Sequence, residues 1–546
     1  MKRLTVILLT AALLAGCTKV GTQNPSSSGG RLNSYTQPHV LRYATAEDLV
    51  GLNPMLNQQG TLSYMSSLTM AWLIKWDAAN QPVPELATEV PARANGGISA
   101  DGKTITYHLH KGVVWSDGKP FDADDVVFTE QAVLNPANNA VSRGGWDLIT
   151  KLDEPDKYTV VFHLKKPYSS ALVTFFSTAG GNPSILPKHI LGGLPNINKA
   201  PYNSLPVGIG PFKYQSWKRG DAVTLVPDPK YFRGQPKLKK VIFKLIPSRD
   251  TVMSELQSGE LDLWYPVPGS YYARLKDMGP GVTALRQPSY LFNHLDFNLT
   301  SPRVKDKVVR EALRYALDRK TIREKIYHGV GIVQESPLSP SAPYATKGIA
   351  DVPFDIAKAN QTLDQAGWAR GPDGVRQKDG VKLNLSFVTS TGSQDADQMI
   401  ELIRGNWKQI GVSLDVHHYL SSLLFDTFQN GGIIYAGKFD VVAFSWQLDP
   451  VGDLAILYAC NQIPPAGQND ARWCNQSASD AMTKAQGFYE VKERQPYEDQ
   501  AVKALVADVP TIVLKVNEDI YIYNKDLKNF HPNQVSQFDD FMKVDI

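Results

Sequence analysis

The sequence lacks most of what would make it an enzyme, a nucleic-acid binder or a membrane-spanning protein. It has no His-Glu-x-x-His, no Gly-x-Ser-x-Gly and no Walker A glycine loop. Gly208-Ile209-Gly210-Pro211 lacks the third glycine of a dinucleotide loop, and Pro211 is wrong for a backbone that cradles phosphate. No catalytic constellation remains, so neither an enzymatic reaction nor a cofactor is expected. His108 and His110 are two apart on one strand face, and His417-His418 would point to opposite faces of a strand. Neither pattern favours joint ligation, and no metal site is expected. The formal net charge of +3 is scattered along 546 residues, which excludes a basic footprint for nucleic acid. The apolar N-terminal run, Leu4 to Leu14, is too short to span a bilayer as a stable helix. Cysteine is scarce, with Cys17, Cys460 and Cys474 the only three.

What is present begins at the N-terminus. Lys2-Arg3, the short apolar core and Leu14-Ala15-Gly16-Cys17 resemble a bacterial lipoprotein signal, in which the cysteine is lipidated and becomes the first mature residue. The alternative is a plain secretory signal with a chance cysteine. On the first reading, 1–16 is a leader and 17–39, almost free of apolar side chains, is a flexible tether. Export permits disulfides, and Cys460 with Cys474 would close a short loop. Such a bridge is worth about 3 kcal/mol; the alternative is two unpaired buried thiols.

Further on, periodicity predicts a strand over Val40–Thr45 and a helix over Gly60–Trp76. A mixed, largely antiparallel region follows from about 77 to 203. It contains strands at Thr104–Leu109 and Tyr158–Leu164, and a helix capped by Asp122. Lys240–Ile246, Arg249–Ser258 and Leu261–Trp264 read as a compact βαβ unit, with Gly259 stopping the helix. A second unit opens with a helix at Ser301-Pro302. It continues through a strand over Val381–Phe387, a helix marked by Met399 to Ile410 and stopped by Gly411, a strand at Val412–Val416, a short helix over 422–429 and a strand over Lys438–Trp446. In open α/β sheets ligands sit beyond the carboxyl ends of the strands. One unit carries Trp264-Tyr265-Pro266 there. The other carries Thr389-Ser390-Thr391 and Ser445-Trp446-Gln447-Leu448-Asp449. Two α/β lobes facing each other across a cleft is the simplest assembly.

Several blocks resemble the family 5 extracellular solute-binding proteins, the peptide, dipeptide and nickel receptors of bacterial ABC importers. They are Gly96–Thr129, Val207–Phe232, Glu255–Leu263, Val309–Arg319, Ala357–Trp368 and Asp508–Asn524, in the family's order over nearly the whole mature chain. The resemblance implies an α/β, two-lobed periplasmic-binding-protein fold with a hinge and an extra mixed α/β domain inserted in the first lobe. Lobe I would comprise 40–76, 204–290 and 510–546, the inserted domain II 77–203, and lobe III 291–509. Closure of the lobes on a ligand would be the working motion.

The resemblance also implies a site. Peptide-binding members use a Trp and, three residues later, an Asp to anchor the ligand's α-ammonium group. Trp446 and Asp449 match that spacing, with Gln447 between them; the alternative for Asp449 is a turn former before Pro450. Tyr64, Trp264 and Tyr265 are candidate walls opposite, each also readable as core. Dipeptide-specific members carry an Arg for the ligand carboxylate where this chain has Thr389-Ser390-Thr391-Gly392-Ser393. Ser390 and Thr391 are kept as candidate contacts, and the ligand is expected to be a longer peptide or another amine-bearing solute. The expected partners are a small solute, the permease and ATPase of an ABC importer, and a membrane reached through a lipid on Cys17. No nucleic acid is expected, and the protein is expected to be monomeric at the periplasmic or extracellular face. Rival readings are a peptide-signal receptor without a transport role, a nickel-complex receptor, and an exported hydrolase on a related scaffold.

Overall fold

Ten strands carry the molecule, and two of them run through both of its halves. They are Val40–Thr45 (β1), Phe212–Lys218 (β2), Ala222–Pro227 (β3), Lys240–Leu245 (β4), Leu263–Trp264 (β5), Val282–Phe297 (β6), Asn384–Ser390 (β7), Ser413–Tyr419 (β8), Val441–Gln447 (β9) and Thr511–Asn524 (β10). Their hydrogen-bonded order is β8-β7-β9-β6-β10-β5-β1-β4-β3-β2. The computed structural model describes residues 32–57, 59–178, 183–535, 538 and 541–546. The leader at 1–16, Cys17 and the tether as far as 31 lie outside the described residues.

β6 and β10 are the connection. They are antiparallel, Val282 facing Asn524 through to Pro288 facing Glu518 on one side, and Phe292 facing Val516 through to Asp296 facing Thr511 on the other. Between Pro288 and Phe292 the register shifts. Proline has no N–H to give to a ladder, and an irregularity of this kind bends and twists the strand pair. On one side of the break lie β5, β1, β4, β3 and β2; on the other lie β9, β7 and β8. Each half packs its own apolar core, one around Tyr43, Phe243 and Leu263, the other around Phe387, Ile403 and Trp407. The fold is therefore α/β and two-lobed, with a hinge where the long pair is broken.

The chain between β1 and β2 carries the inserted domain. Its three-stranded antiparallel sheet has Thr159–Leu164 between Thr104–His108 and Ile149–Asp156. A separate core gathers Trp115, Trp146 and Phe162. Its helix Ala123–Leu134 starts as the sequence predicts: Asp122 accepts from the Asp124 N–H, and Asp125 completes the capping box. The helix Arg249–Ser258 ends, as expected, at Gly259, whose φ of 78° is left-handed; its start is a Ser248 cap.

Several expectations are corrected. The helix from Gly60 stops at Thr69, and Ile74–Trp76 is a strand paired with Pro82–Pro84. Tertiary demand outweighs helical spacing here, because the Leu73 and Ile74 N–H groups both donate to the Phe176 carbonyl. Ser301-Pro302 opens no helix. The Ser301 hydroxyl donates to Asp440, and the helix Lys307–Tyr315 starts instead from an Asp306 cap. The short helix expected over 422–429 is only Ser421–Leu424. β4 and β5 are not neighbours, since β1 lies between them, parallel to both. Nor is 32–39 loose: Asp526 accepts from the Leu32 and Asn33 N–H groups at 2.6 and 2.9 Å and from the Thr36 hydroxyl at 2.6 Å.

The return from the inserted domain passes very close to the end of the Gly60–Thr69 helix. A Cβ on Gly208 would lie 1.9 Å from the Thr69 carbonyl oxygen, and one on Gly210 would lie 2.4 Å from that of Leu68. Neither backbone oxygen can swing aside like a side chain. Gly208→Ala should lower unfolding free energy by about 2–3 kcal/mol in urea titration, the upper range for overpacking; an unchanged midpoint would contradict this. The Cys460 and Cys474 sulfurs lie 2.14 Å apart, with their Cα atoms at 4.7 Å. Among the described residues no helix is long and apolar enough to cross a membrane.

Candidate ligand-binding site

The break in the long strand pair opens onto a cavity of about 610 Å³, within the roughly 300–1,000 Å³ usual for small-ligand sites. Its floor is the hinge itself: Ser289-Tyr290-Leu291 beside β6 and Asn517-Glu518-Asp519 in β10. The Gly60–Thr69 helix supplies one wall with Ser63, Tyr64, Ser66 and Ser67, joined by Tyr265 just past β5. The opposite wall is the exit of β9, from Gln447 to Pro450. That exit is tied to the hinge, because the Leu448 N–H donates to the Tyr290 carbonyl at 3.1 Å. The Tyr344 hydroxyl holds its far end by donating to the Pro450 carbonyl at 2.5 Å.

The tyrosine wall is rigid. The Tyr265 ring stacks on Tyr521 at 4.2 Å and 12°, and Tyr64 meets it edge-on at 5.2 Å. Its carbonyl accepts from the Tyr43 hydroxyl at 2.7 Å, and its own hydroxyl donates to Asp519 Oδ1 at 3.1 Å. Such rings give a ligand flat apolar contact at little cost in rotamer entropy.

Electrostatically the cavity is acidic. Among the described lining residues there are three carboxylates, Asp449, Glu518 and Asp519, and no Lys, Arg or His. Glu518 is neutralised by Arg286 and accepts from the Gly331 N–H at 2.7 Å. Asp449 is not. Its Oδ1 is enclosed and has no hydrogen-bond partner among the described residues. Arg494, the cation nearest in effect, is already paired with Glu498 at 2.7 Å. Burial, reinforced by the neighbouring Asp453, pushes the Asp449 carboxyl up to about 6. Burial likewise pushes Asp519 up to about 7, against the hydrogen bonds from Tyr265 and Ser289. By surface both acids are only half-buried, yet protein surrounds them closely. The two observations agree for a group on the floor or wall of a cleft, open in one direction only. Ser66 Oγ, Thr178 Oγ1 and the Tyr290 hydroxyl face the same cavity without a partner among the described residues. Buried polar groups are rarely left so, and four around one cavity mark a surface shaped to receive hydrogen bonds and a positive charge.

Of the residues singled out in the sequence, Asp449, Gln447, Tyr265 and Tyr64 come together around this cavity. Trp446, Trp264, Ser390 and Thr391 do not line it. Alternation along β9 turns Trp446 to the face opposite Gln447, where it lies edge-on to Phe444 at 6.5 Å and packs on the cluster of Leu448 and Leu454. Trp264 is buried with Val252 and Met253 of the Arg249–Ser258 helix and meets Tyr271 at 5.3 Å, so it is core. Ser390 and Thr391 end β7, which β9 separates from the hinge strands, and the Thr391 N–H is used by Tyr419. Sequence reasoning missed the hinge floor. The available signal was Asn517-Glu518-Asp519, three consecutive polar residues within the mostly apolar run of β10.

The family model described as bacterial extracellular solute-binding proteins, family 5 Middle, matches residues 81–465. The oligopeptide-binding protein AppA of Bacillus subtilis (strain 168) is 27% identical over 514 residues, covering 93% of this chain and 91% of its own. Its structure in complex with a nonapeptide superposes with a TM-score of 0.73 at 24% identity, covering 93% of this chain and 99% of that one. NikZ from Campylobacter jejuni in complex with Ni(L-His) superposes with a TM-score of 0.73 at 25% identity, covering 94% and 100%.

Proposed function

Because the chain belongs to the family 5 bacterial extracellular solute-binding proteins, receptors of ABC importers and not enzymes, we propose that it captures an oligopeptide in the hinge cavity and delivers it to a permease. The observation that carries this reading is the enclosed, unpartnered Oδ1 of Asp449 in a cavity whose described lining has no basic residue. A peptide's α-ammonium group would occupy that oxygen. The orphan hydroxyls of Ser66, Thr178 and Tyr290 would take main-chain groups, and the rings of Tyr64 and Tyr265 the side chains. A ligand touching both walls favours the closed arrangement by its differential affinity, and it leaves unaltered. Mass spectrometry of what co-purifies with the protein tests this directly: peptides are expected, and a metal chelate or no ligand would overturn the reading.

The acid at residue 449 makes binding depend on pH. Asp453, Glu498, Arg494 and the tyrosines at 168, 290 and 344 also bear on that carboxyl. In the free protein it is protonated below about 6, whereas the ammonium binds the carboxylate. Capture below that point must therefore release a proton. Peptide affinity should be highest between about 6 and the ionisation of the ligand's own α-ammonium group at about 8, and fall by up to roughly tenfold per unit below the Asp449 transition. Calorimetry at several pH values checks this, and an affinity that rises on acidification would contradict it.

We also propose that Cys17 carries a lipid and that Cys460 and Cys474 are oxidised in the exported protein. Cys17→Ala should move the protein from the membrane fraction to the soluble exported fraction. Replacing both Cys460 and Cys474 by serine should cost about 3 kcal/mol by the loop-entropy relation, read as a lower urea midpoint under oxidising conditions.

A further inference from the structure

The second desolvated acid, Asp519, has no role in anchoring an α-ammonium group at Asp449. It sits on the hinge floor, on a different element from Asp449 but in the same cavity. Its partners among the described residues are the hydroxyls of Tyr265, at 3.1 Å, and Ser289, both neutral donors. A neutral acceptor would hold that phenol as well, without the penalty of confining a carboxylate. Glu518 beside it is matched by Arg286, whereas among the described residues no cation pairs with Asp519. With no Lys, Arg or His among the described lining residues, the missing positive charge has to arrive with the ligand.

We propose that Asp519 forms a second cation subsite, and that the preferred ligand is an oligopeptide bearing a basic side chain in addition to its α-ammonium group. This rests on the peptide reading above and narrows it. A ligand with two positive charges would engage the β9 wall through Asp449 and the hinge floor through Asp519. It would thus touch both the β9 wall and the floor between the two halves of the sheet.

The test uses the full-length exported protein and synthetic pentapeptides: penta-alanine, the variants with lysine at each position, and the same variants with Nε-acetyl-lysine. At one or more positions lysine should improve affinity over penta-alanine by about tenfold or more, the scale of a charge-assisted contact in a desolvated site. Acetylation should remove the gain. Asp519→Asn, which keeps an acceptor for Tyr265, should also abolish the lysine advantage, read as the ratio of lysine-peptide to penta-alanine affinity within the same variant. If acetyl-lysine binds as well as lysine, or the advantage survives in Asp519→Asn, the second subsite is refuted while peptide capture stands. If no lysine position improves on penta-alanine, the result is the same. If none of the pentapeptides binds the wild-type protein, the peptide reading and the subsite fall together. The acetylation comparison needs no mutant and holds even if Asp519→Asn fails to fold.

Discussion

Asp449→Ala should weaken capture of a peptide with a free amino terminus by about 2–5 kcal/mol, the loss seen when one member of a buried charged pair is removed. The size follows from the environment of the carboxyl. Oδ1 is enclosed, no cation among the described residues pairs with it, and Arg494 is committed to Glu498. In the complex, the incoming ammonium group would have given up its water for this acid. In the variant it would give up that water for a methyl group. Asp449→Asn separates charge from shape, since it keeps the volume and one acceptor, and it should fall between wild type and alanine. The decisive comparison uses an N-acetylated peptide. It has no charge for Asp449 to meet, so its affinity, already weak, should hardly change between wild type and Asp449→Ala. Equal losses for free and acetylated peptides in calorimetry would show that residue 449 acts only by shaping the β9 exit.

This site was only partly legible in the sequence, and the split has a physical pattern. That Asp449 and Gln447 stand beside the cavity is legible because a strand exit is a local property: the apolar run of β9 ends and polar residues begin. Tyr265 was found for the same reason after β5. Trp446 and Trp264 were misplaced because the pleat sends adjacent residues to opposite faces, and which face meets the cleft depends on the packing of the other lobe. Ser390 and Thr391 also stand at a strand exit, but β9 separates their strand from the hinge pair, and strand order is not written in periodicity. The hinge was the hardest to see. It exists only because residues near 290 pair with residues near 517, across more than two hundred positions of chain, and slip by a few residues as they do. The helix start at Asp122 could be read in place, because a cap is decided within four residues. The helix expected to reach Trp76 was lost because Phe176, a hundred residues away, claims the N–H groups of Leu73 and Ile74.

The same contrast between local signal and distant partner leads to Asp262, within the block Glu255–Leu263. Its side chain is fully buried, and it holds Arg42 with two parallel bonds, Nε to Oδ2 at 2.7 Å and Nη2 to Oδ1 at 2.8 Å. It also accepts from the Arg42 N–H at 2.9 Å and from Asn524 Nδ2 at 3.2 Å. The acid at the entrance of β5 thereby fastens β1 on one side and the end of hinge strand β10 on the other. Asp262→Ala would leave the Arg42 guanidinium buried without a counter-charge, which should lower unfolding free energy by about 3–5 kcal/mol. Replacing both partners, as Arg42→Met with Asp262→Leu, should recover much of that loss, because a well-packed apolar pair carries no desolvation penalty. No atom of Asp262 lines the cavity. Once the folded fraction is accounted for, the single variant should therefore bind peptide with unchanged affinity. Urea titration and calorimetry on the same sample separate the two quantities. A single variant as stable as wild type would show that Arg42 reaches water or another acid. A loss of affinity in the folded fraction would show instead that the lobe I end of β10 must be held in place for the hinge floor, five residues earlier in that strand at Asp519, to keep its shape.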